Sequence, residues 1–268
     1  MSTWRRRTGH GPPRLHGVSG HSKWASIKHK KAIVDSRRGQ QFTKLARAIT
    51  VAARDGGGDP DSNATLANAV QKARDASMPK DNIERAIAKG TGEGADAAAI
   101  ESVVYEGYGP GGVAILVEAL TDNRNRTGAE VRHIFGQHGG ALGEPGSVAY
   151  LFEKHGVVVV DASRWSEDDL EPAIDAGAED IAADGDLYEI VCDPRDLAAV
   201  RAALEDAGVE IQSAEVVQRP TSRVPVEEGD VGQLLRLLEA LEADDDVNAM
   251  NANFDAAADV LERVAAAG

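Results

Sequence analysis

Basic side chains are concentrated near the amino terminus of this 268-residue chain. Residues 21–54 hold nine Lys or Arg side chains and one acidic residue, Asp35, which gives this stretch a net charge of +8. Cations at this density neutralise phosphates, and such binding weakens as salt is added. Trp24 lies among them, and an indole ring stacks on unpaired bases. The candidate phosphate ligands are Lys23, Lys28, Lys30, Lys31, Arg37, Arg38, Lys44 and Arg47.

An amphipathic helix positions part of this set. Four apolar residues recur at helical spacing, and four cations fall on the opposite side of the same helix. The apolar set is Phe42, Leu45, Ile49 and Ala52, and the basic set is Arg37, Lys44, Arg47 and Arg54. The basic side either binds nucleic acid or is a solvated surface, with Trp24 in a protein core. The density of cations in an otherwise acidic protein favours nucleic acid.

Charge is segregated along the chain. The net charge of the whole chain is −15, which by itself argues against a polyanionic partner. Residues 1–90 carry +11, however, and residues 91–268 carry −26. An asymmetry of this size indicates that one part of the protein meets a polyanion. We therefore expect the amino-terminal part to bind nucleic acid while the acidic remainder is held away from phosphate.

Catalytic and metal sites find little support in the sequence. The seven histidines lack the spacing of metal ligands, and the single Cys192 excludes an internal disulfide. Cys192 falls in a predicted strand, where a lone cysteine is typically a small core residue. We therefore expect a protein that is not an enzyme, with no catalytic residue, metal, cofactor or small-molecule substrate.

A glycine pattern and a pair of arginines are weaker candidates. Gly107-x-Gly109-x-x-Gly112 matches the dinucleotide-binding pattern, but a β-type segment follows it where that fold requires a helix, so we predict a hairpin. Arg124 and Arg126 precede or open a helix and form a second candidate phosphate contact. The equal alternative is that they pair with Asp122. The acidic run 242–246 is interpreted as a solvated helix end.

The order of elements predicts an α+β fold with three domains. Two short helices, from about Asn63 to Ala76 and from Pro79 to Gly90, complete a three-helix bundle. The first of the two is expected to have Asp61 or Ser62 as its cap. From residue 156 the order is βαββαβ, which is typical of a ferredoxin-like unit. The last strands and helix are expected to join the hairpin at 101–120, which makes the ferredoxin-like domain an insertion. The predicted domains are 21–96, 97–148 with 221–268, and the inserted 149–220.

The first twenty residues are predicted to lie outside the folded domains. They contain four arginines and no acid, and they lack the apolar core of a secretory signal. Pro12 and Pro13 break the amphipathic helix of a transit peptide. We expect a disordered tail or a mis-assigned start, and a cytoplasmic protein. The apolar runs are too short to cross a bilayer, so we expect no membrane association.

Four segments resemble the YebC/PmpR family, over about residues 20–262. They are GHSKWASIKHKKAIVDSRRGQQFTKL (20–45), MPKDNIERAIAKGTGE (78–93), YEGYGPGGVAILVEALTDNRNRT (105–127) and PGSVAYLFEKHGVVVV (145–160). The resemblance implies the same three domains, with the third inserted in the second. Bacterial members are labelled probable DNA-binding transcriptional regulators. The family is also linked to translation, including help for ribosomes on proline-rich stretches, and its eukaryotic relatives include a mitochondrial translational activator of cytochrome c oxidase.

The resemblance also implies site residues. Members begin Met-Ser-Gly-His-Ser-Lys-Trp, and Val18 stands here in the place of that methionine. If translation starts at this valine codon, residues 1–17 are an artefact of a mis-assigned start. Nucleic-acid contacts are implied at Lys23, Trp24, Lys28, His29, Lys30, Lys31, Arg37, Arg38 and Lys44. We expect a DNA-binding transcriptional regulator, and the alternative is a ribosome-associated translational activator that binds rRNA or tRNA. The family label favours DNA, but the basic helix is dominated by Lys and Arg, which grip phosphate without reading bases, and this favours structured RNA or the ribosome. The sequence does not give the oligomeric state.

Overall fold

The computed structural model describes residues 20, 22–24, 38–92 and 100–267, which form an α+β protein. The helices are α1 (Arg38–Gly56), α2 (Ala64–Asp75), α3 (Lys80–Gly90), α4 (Arg124–Gln137), α5 (Glu171–Asp175), α6 (Leu197–Asp206), α7 (Glu228–Ala243) and α8 (Ala258–Ala267). The strands are β1 (Glu101–Tyr108), β2 (Ala114–Thr121), β3 (Ala141–Leu142), β4 (Phe152–Asp161), β5 (Ala178–Asp184), β6 (Leu187–Cys192), β7 (Ile211–Pro220), β8 (Val224–Pro225), β9 (Val247–Ala252) and β10 (Phe254–Asp255). The predicted tail, residues 1–20, lies outside the described residues except for Gly20.

Helices α1 to α3 form the bundle that apolar spacing predicts. Its core contains Leu45 and Ile49 of α1, together with Leu66, Val70 and Ile83 from the other two helices. Helices α1 and α3 approach closely at Gly90, where a Cβ atom would lie 2.3 Å from the carbonyl oxygen of Thr50. The bundle therefore has a core of its own, separate from those of the two sheets.

Asn63 caps α2, in place of the predicted Asp61 or Ser62. Its side-chain oxygen accepts a hydrogen bond from the third backbone N–H of the helix. Its amide nitrogen donates to the carbonyl oxygens of Ala52 at 2.8 Å and Gly57 at 2.9 Å. Because an amide both accepts and donates, Asn63 caps one helix and also ties it to the end of the preceding one.

The first sheet has the strand order β3-β1-β2-β9, and its neighbouring strands are antiparallel. Helices α4 and α7 pack on one face, with Val131, Phe135 and Leu237 fully buried. The predicted hairpin is confirmed: β1 and β2 are joined by a short turn over Pro110–Gly112. Gly111 and Gly112 have φ angles of 72° and 75°, a region that favours glycine.

The second sheet has the order β5-β6-β4-β7, again with antiparallel neighbours. Helices α5 and α6 connect its strands and cover one face, which is the predicted βαββαβ arrangement. Cys192 is buried in this core, and burial raises the pKa of its thiol to about 11. The whole second sheet lies in the chain between β2 and β9, which pair in the first sheet. The domain boundaries at residues 97, 149 and 221 stay predictions with which this pairing agrees.

Glu106 fastens the segment after β3 to strand β1. Its carboxylate is 7% exposed and accepts hydrogen bonds from the backbone N–H groups of Gly146 at 2.6 Å, Val148 at 2.7 Å and Ala149 at 2.7 Å. Burial opposes ionisation, but the three donors outweigh it and hold the pKa of Glu106 below its usual value. The ionised carboxylate therefore organises the chain between the two sheets.

Replacing Glu106 with Gln should lower the free energy of unfolding by about 2 kcal/mol, because an amide presents an NH2 group to donors that need an acceptor. Urea unfolding at pH 7 measures the loss, and Glu153→Gln on an exposed position of β4 is the control. Because the folded pKa is lowered, the stabilisation exists above the unfolded pKa of about 4.3 and fades as pH falls further. An equal loss at pH 7 and pH 3 would contradict this account.

Candidate nucleic-acid interface

The segment that contains Lys23 and Trp24 is packed against residues 254–256, which form β10 and the position after it; β10 pairs with β8 in a separate two-stranded sheet. Trp24 is 4% exposed and belongs to the core that includes Phe254 and Ala256. Lys23 is 6% exposed, and its Nζ lies 3.5 Å from the carbonyl oxygen of Ala256 and 3.8 Å from a carboxylate oxygen of Asp255. Gly20 fits here only without a side chain, since a Cβ would lie 2.4 Å from the carbonyl oxygen of Phe254.

This placement corrects the sequence-based role of Trp24. A ring that is 4% exposed has no free face on which a base can stack, so we remove Trp24 and the buried Lys23 from the candidate contacts. Trp24 instead lies in a protein core, which was the alternative to base stacking. This core belongs to the first sheet and not to the helical bundle. Sequence spacing could not show this, because Trp24 joins the core that contains Phe254 and Ala256 only through the tertiary fold.

The basic side of α1 meets the acidic turn, which we define as residues 242–246, from the last two residues of α7 to the start of β9. Gln40, Lys44 and Arg47 lie at i, i+4 and i+7 and so project from one side of the helix. The Gln40 amide donates to the Asp245 carboxylate at 2.6 Å, and Lys44 Nζ donates to the carbonyl oxygen of Glu242 at 2.5 Å. Arg47 donates to the carbonyl oxygen of Asp245 at 3.0 Å. The acidic run is therefore not a freely solvated helix end, because it covers the basic side of α1.

Asp246 is the buried centre of this contact. Its side chain is 4% exposed and accepts hydrogen bonds from Arg47, Arg126 and Thr127, each at 2.7 Å, and from Thr121 at 3.1 Å. Burial alone would raise its pKa, but these donors outweigh burial and lower the pKa of Asp246 to about 2. The carboxylate is thus ionised and joins α1, β2 and α4.

The two arginines of the second candidate contact, Arg124 and Arg126, have different surroundings in the structure. Arg126 pairs with Asp122 at 2.9 Å and with Asp246 at 2.7 Å, which is the structural alternative expected for it. The Arg124 side chain is 65% exposed and lies 3.6 Å from Glu101. The helix is capped by Asn123, which accepts from the backbone N–H of Arg126. Arg124 keeps a head group at the surface, and its contact with phosphate stays a prediction.

The remaining candidates lie between two anchored segments. Residues 22–24 are attached to Ala256 and to the core beneath the first sheet, and α1 is attached to the acidic turn. Arg38 is the first residue of α1. The candidates outside the described residues are Lys28, His29, Lys30, Lys31 and Arg37. We call residues 28–37 the lysine-rich stretch. The described segments that flank it in the sequence, residues 22–24 and α1, are both attached to the rest of the protein.

The bundle also contacts the second sheet through ion pairs. Lys72 of α2 lies 2.5 Å from Glu215 of β7, and Asp75 accepts two hydrogen bonds from Arg201 of α6 at 2.7 and 2.9 Å. The pKa of Lys72 is raised, mainly by the neighbouring Glu215. Within the part of the chain that the structure describes, no helix combines the length and apolar character needed to span a membrane.

Comparison with known proteins gives the family. Two models match this chain, the TACO1/YebC protein N-terminal domain over residues 22–93 and the TACO1/YebC second and third domain over residues 100–254. A Rubrobacter xylanophilus protein named probable transcriptional regulatory protein is 53% identical over 249 residues, which cover 92% of this chain and 100% of that relative. A Persephonella marina protein of the same name is 51% identical over 250 residues, which cover 92% and 100%.

A solved structure is similar along most of its length. The crystal structure of a conserved hypothetical protein from Aquifex aeolicus matches with a TM-score of 0.76 and 49% identity. The match covers 87% of this chain and 96% of that one. Because the two family models match most of the chain and the relatives are matched from end to end, this protein belongs to the TACO1/YebC family.

Proposed function

We propose that this protein is a non-enzymatic, cytoplasmic regulator of gene expression that binds nucleic acid through its lysine-rich amino-terminal stretch. The observation that carries the proposal is the concentration of nine cations in residues 21–54 of a chain whose net charge is −15. The names of the relatives, probable transcriptional regulatory protein, support a role in transcription and hence DNA as the ligand.

The contacts of α1 narrow the set of residues to which we assign binding. Trp24 and Lys23 are buried, and Lys44 and Arg47 already donate to the acidic turn. We assign the first contacts with phosphate to Lys28, His29, Lys30, Lys31, Arg37 and Arg38. Since phosphate contacts position a nucleic acid without reading its sequence, the proposal predicts strong salt dependence and modest sequence preference.

The combined substitution Lys28→Glu, Lys30→Glu and Lys31→Glu should weaken binding to duplex DNA about 100-fold at 0.15 M salt. Each phosphate contact that is removed should also reduce the slope of log K against log salt by about one. Fluorescence anisotropy with a labelled duplex at several salt concentrations measures both. The matched control reverses three exposed cations of the bundle, Lys80, Arg85 and Lys89, and so changes the net charge equally.

Two outcomes would overturn the proposal. Equal losses in the lysine variant and its control would mean that net charge alone, and not the lysine-rich stretch, governs binding. Unchanged affinity in the lysine variant would remove the stretch from the interface. The same titration with a ribosomal RNA fragment ranks the two ligands, and tighter binding of RNA that depends on the same lysines would replace DNA with structured RNA.

A further inference from the structure

Two features of opposite charge face each other across the contact between α1 and the acidic turn. One is a helix side that presents Gln40, Lys44 and Arg47, and the other is a turn that presents carbonyl and carboxylate oxygens. Phosphate oxygens in a nucleic acid are ligands of the same kind for the same donors. The basic side of α1 can therefore hold the acidic turn or a phosphate backbone, but not both.

We propose that the acidic turn is a built-in competitor that covers the phosphate-binding side of α1 until nucleic acid displaces it. This inference rests on the proposed function, since it assigns Lys44 and Arg47 to the same interface in a covered state. A nucleic acid first engages the lysine-rich stretch that leads into α1 and then extends onto the helix as the turn is released.

The construction of the two partners allows such a release. The turn is fixed to the first sheet by hydrogen bonds that do not involve α1: Asp246 accepts from Thr121 and Thr127, and its carbonyl oxygen accepts from the backbone N–H of Leu120 at 2.8 Å. The bundle keeps its own core. Separation therefore requires neither partner to unfold.

Release of the turn breaks surface hydrogen bonds, a small apolar contact and one partly buried ion pair. The ion pair is that of Arg47 with Asp246, and Asp246 keeps Arg126, Thr121 and Thr127 as partners after Arg47 has left. Gln40 and Lys44 make their hydrogen bonds at the surface, where individual polar interactions are weak and screened by salt. A small apolar cluster, in which Val51 of α1 meets Ile100 and Leu120, also separates. These interactions keep α1 covered in the absence of ligand, while a polyanion supplies replacement partners for every freed cation.

A reversible lock tests the inference directly. Gln40 and Asp245 touch through their side chains, so the double variant Gln40→Cys with Asp245→Cys can be joined by a short bifunctional methanethiosulfonate, which forms a disulfide with each cysteine and is released by a reductant. Locked full-length protein should bind duplex DNA at least ten-fold more weakly than the same sample after reduction. Cys192 is buried, and burial raises the pKa of its thiol, so it stays outside this chemistry. Equal affinity of the locked and reduced forms would overturn the inference.

Neutralising the turn tests it in the opposite direction. The double variant Asp244→Asn with Asp245→Asn should bind the duplex about five-fold more tightly than the control Glu239→Gln with Glu262→Gln. The control removes two exposed acidic charges elsewhere and so corrects for net charge. Equal affinities of the two double variants would contradict competition by the turn.

The outcomes separate the inference from the proposed function. If wild type binds and the lysine variant does not, while locking changes nothing, the proposed function stands and the competitor role is wrong. If wild type, reduced and neutralised proteins all fail to bind DNA and RNA, the proposed function is wrong and the inference is overturned with it.

Discussion

Replacing Asp246 with Ala should lower the free energy of unfolding by about 3–5 kcal/mol, the range found when one member of a buried charged pair is removed. The carboxylate is 4% exposed and accepts from two guanidinium groups and two hydroxyls, Arg47, Arg126, Thr121 and Thr127. Its removal leaves Arg126 beside a space with no acceptor and detaches α1 from β2 and α4. Urea unfolding of the full chain measures the loss.

Two comparisons identify the charge as the cause. Asp245→Ala removes a neighbouring exposed carboxylate and should cost less than about 1 kcal/mol, as surface pairs do. Asp246→Asn keeps the shape of the side chain and should cost nearly as much as Asp246→Ala. Arg47 donates to one carboxylate oxygen and Arg126 to the other, so the NH2 group of an amide faces one of the two arginines in either orientation, and the negative charge is lost. Asp246→Asn with wild-type stability would show that shape, and not charge, matters at this position.

The pH dependence of the Asp246 effect has a definite sign. Its folded pKa is about 2, below the value of about 3.9 in an unfolded chain. The ionised group therefore contributes its stability above pH 4, and that contribution, about 2 kcal/mol by linkage, is lost as pH falls from 4 to 2. The difference in stability between wild type and Asp246→Asn should accordingly shrink by about 2 kcal/mol over this interval.

Trp24→Ala should cost about 3–5 kcal/mol of unfolding free energy, which is the usual penalty for removing a buried aromatic side chain. The ring lies in the core that holds Phe254 and Ala256, and its indole N–H has no hydrogen-bond partner among the described residues. Trp24→Phe should therefore cost only about 1–2 kcal/mol, since it forfeits volume and no hydrogen bond. Urea unfolding ranks the three proteins.

A binding measurement distinguishes this structural role from base stacking. Folded Trp24→Phe should bind nucleic acid within about two-fold of wild type, whereas a stacking residue would show its largest loss on single-stranded ligands. Stability unchanged by Trp24→Ala, together with a large loss of affinity for single strands, would restore Trp24 to the interface.

Periodicity predicted the fold well, because periodicity reports burial. The inward residues of α1 to α3 and the βαββαβ order follow from apolar spacing along the chain, and the structure contains both. The caps were less predictable: Asn63 caps α2 in place of Asp61 or Ser62 because its amide reaches the end of α1, which is a tertiary contact.

The candidate site was only partly predictable. The sequence locates the cations, but what each one faces depends on residues some 200 positions away, as with Lys44 and Glu242 or Arg47 and Asp246. The sequence shows both a basic helix side and an acidic run. Their opposite charge is consistent with a contact between them, but helical spacing cannot show that the two lie face to face.

The burial of Trp24 in the core that contains Phe254 and Ala256 has a consequence for the synthesis of the chain. The bundle and the inserted sheet are formed from continuous stretches, so each has all its residues once that stretch has left the ribosome. The first sheet lacks β9, and the site for Trp24 does not exist, until nearly the last residue has been added. The segment that contains Trp24 is thus synthesised early and reaches its final packed position late. Burial of Trp24 should accordingly be the late, length-dependent step in maturation of the whole chain.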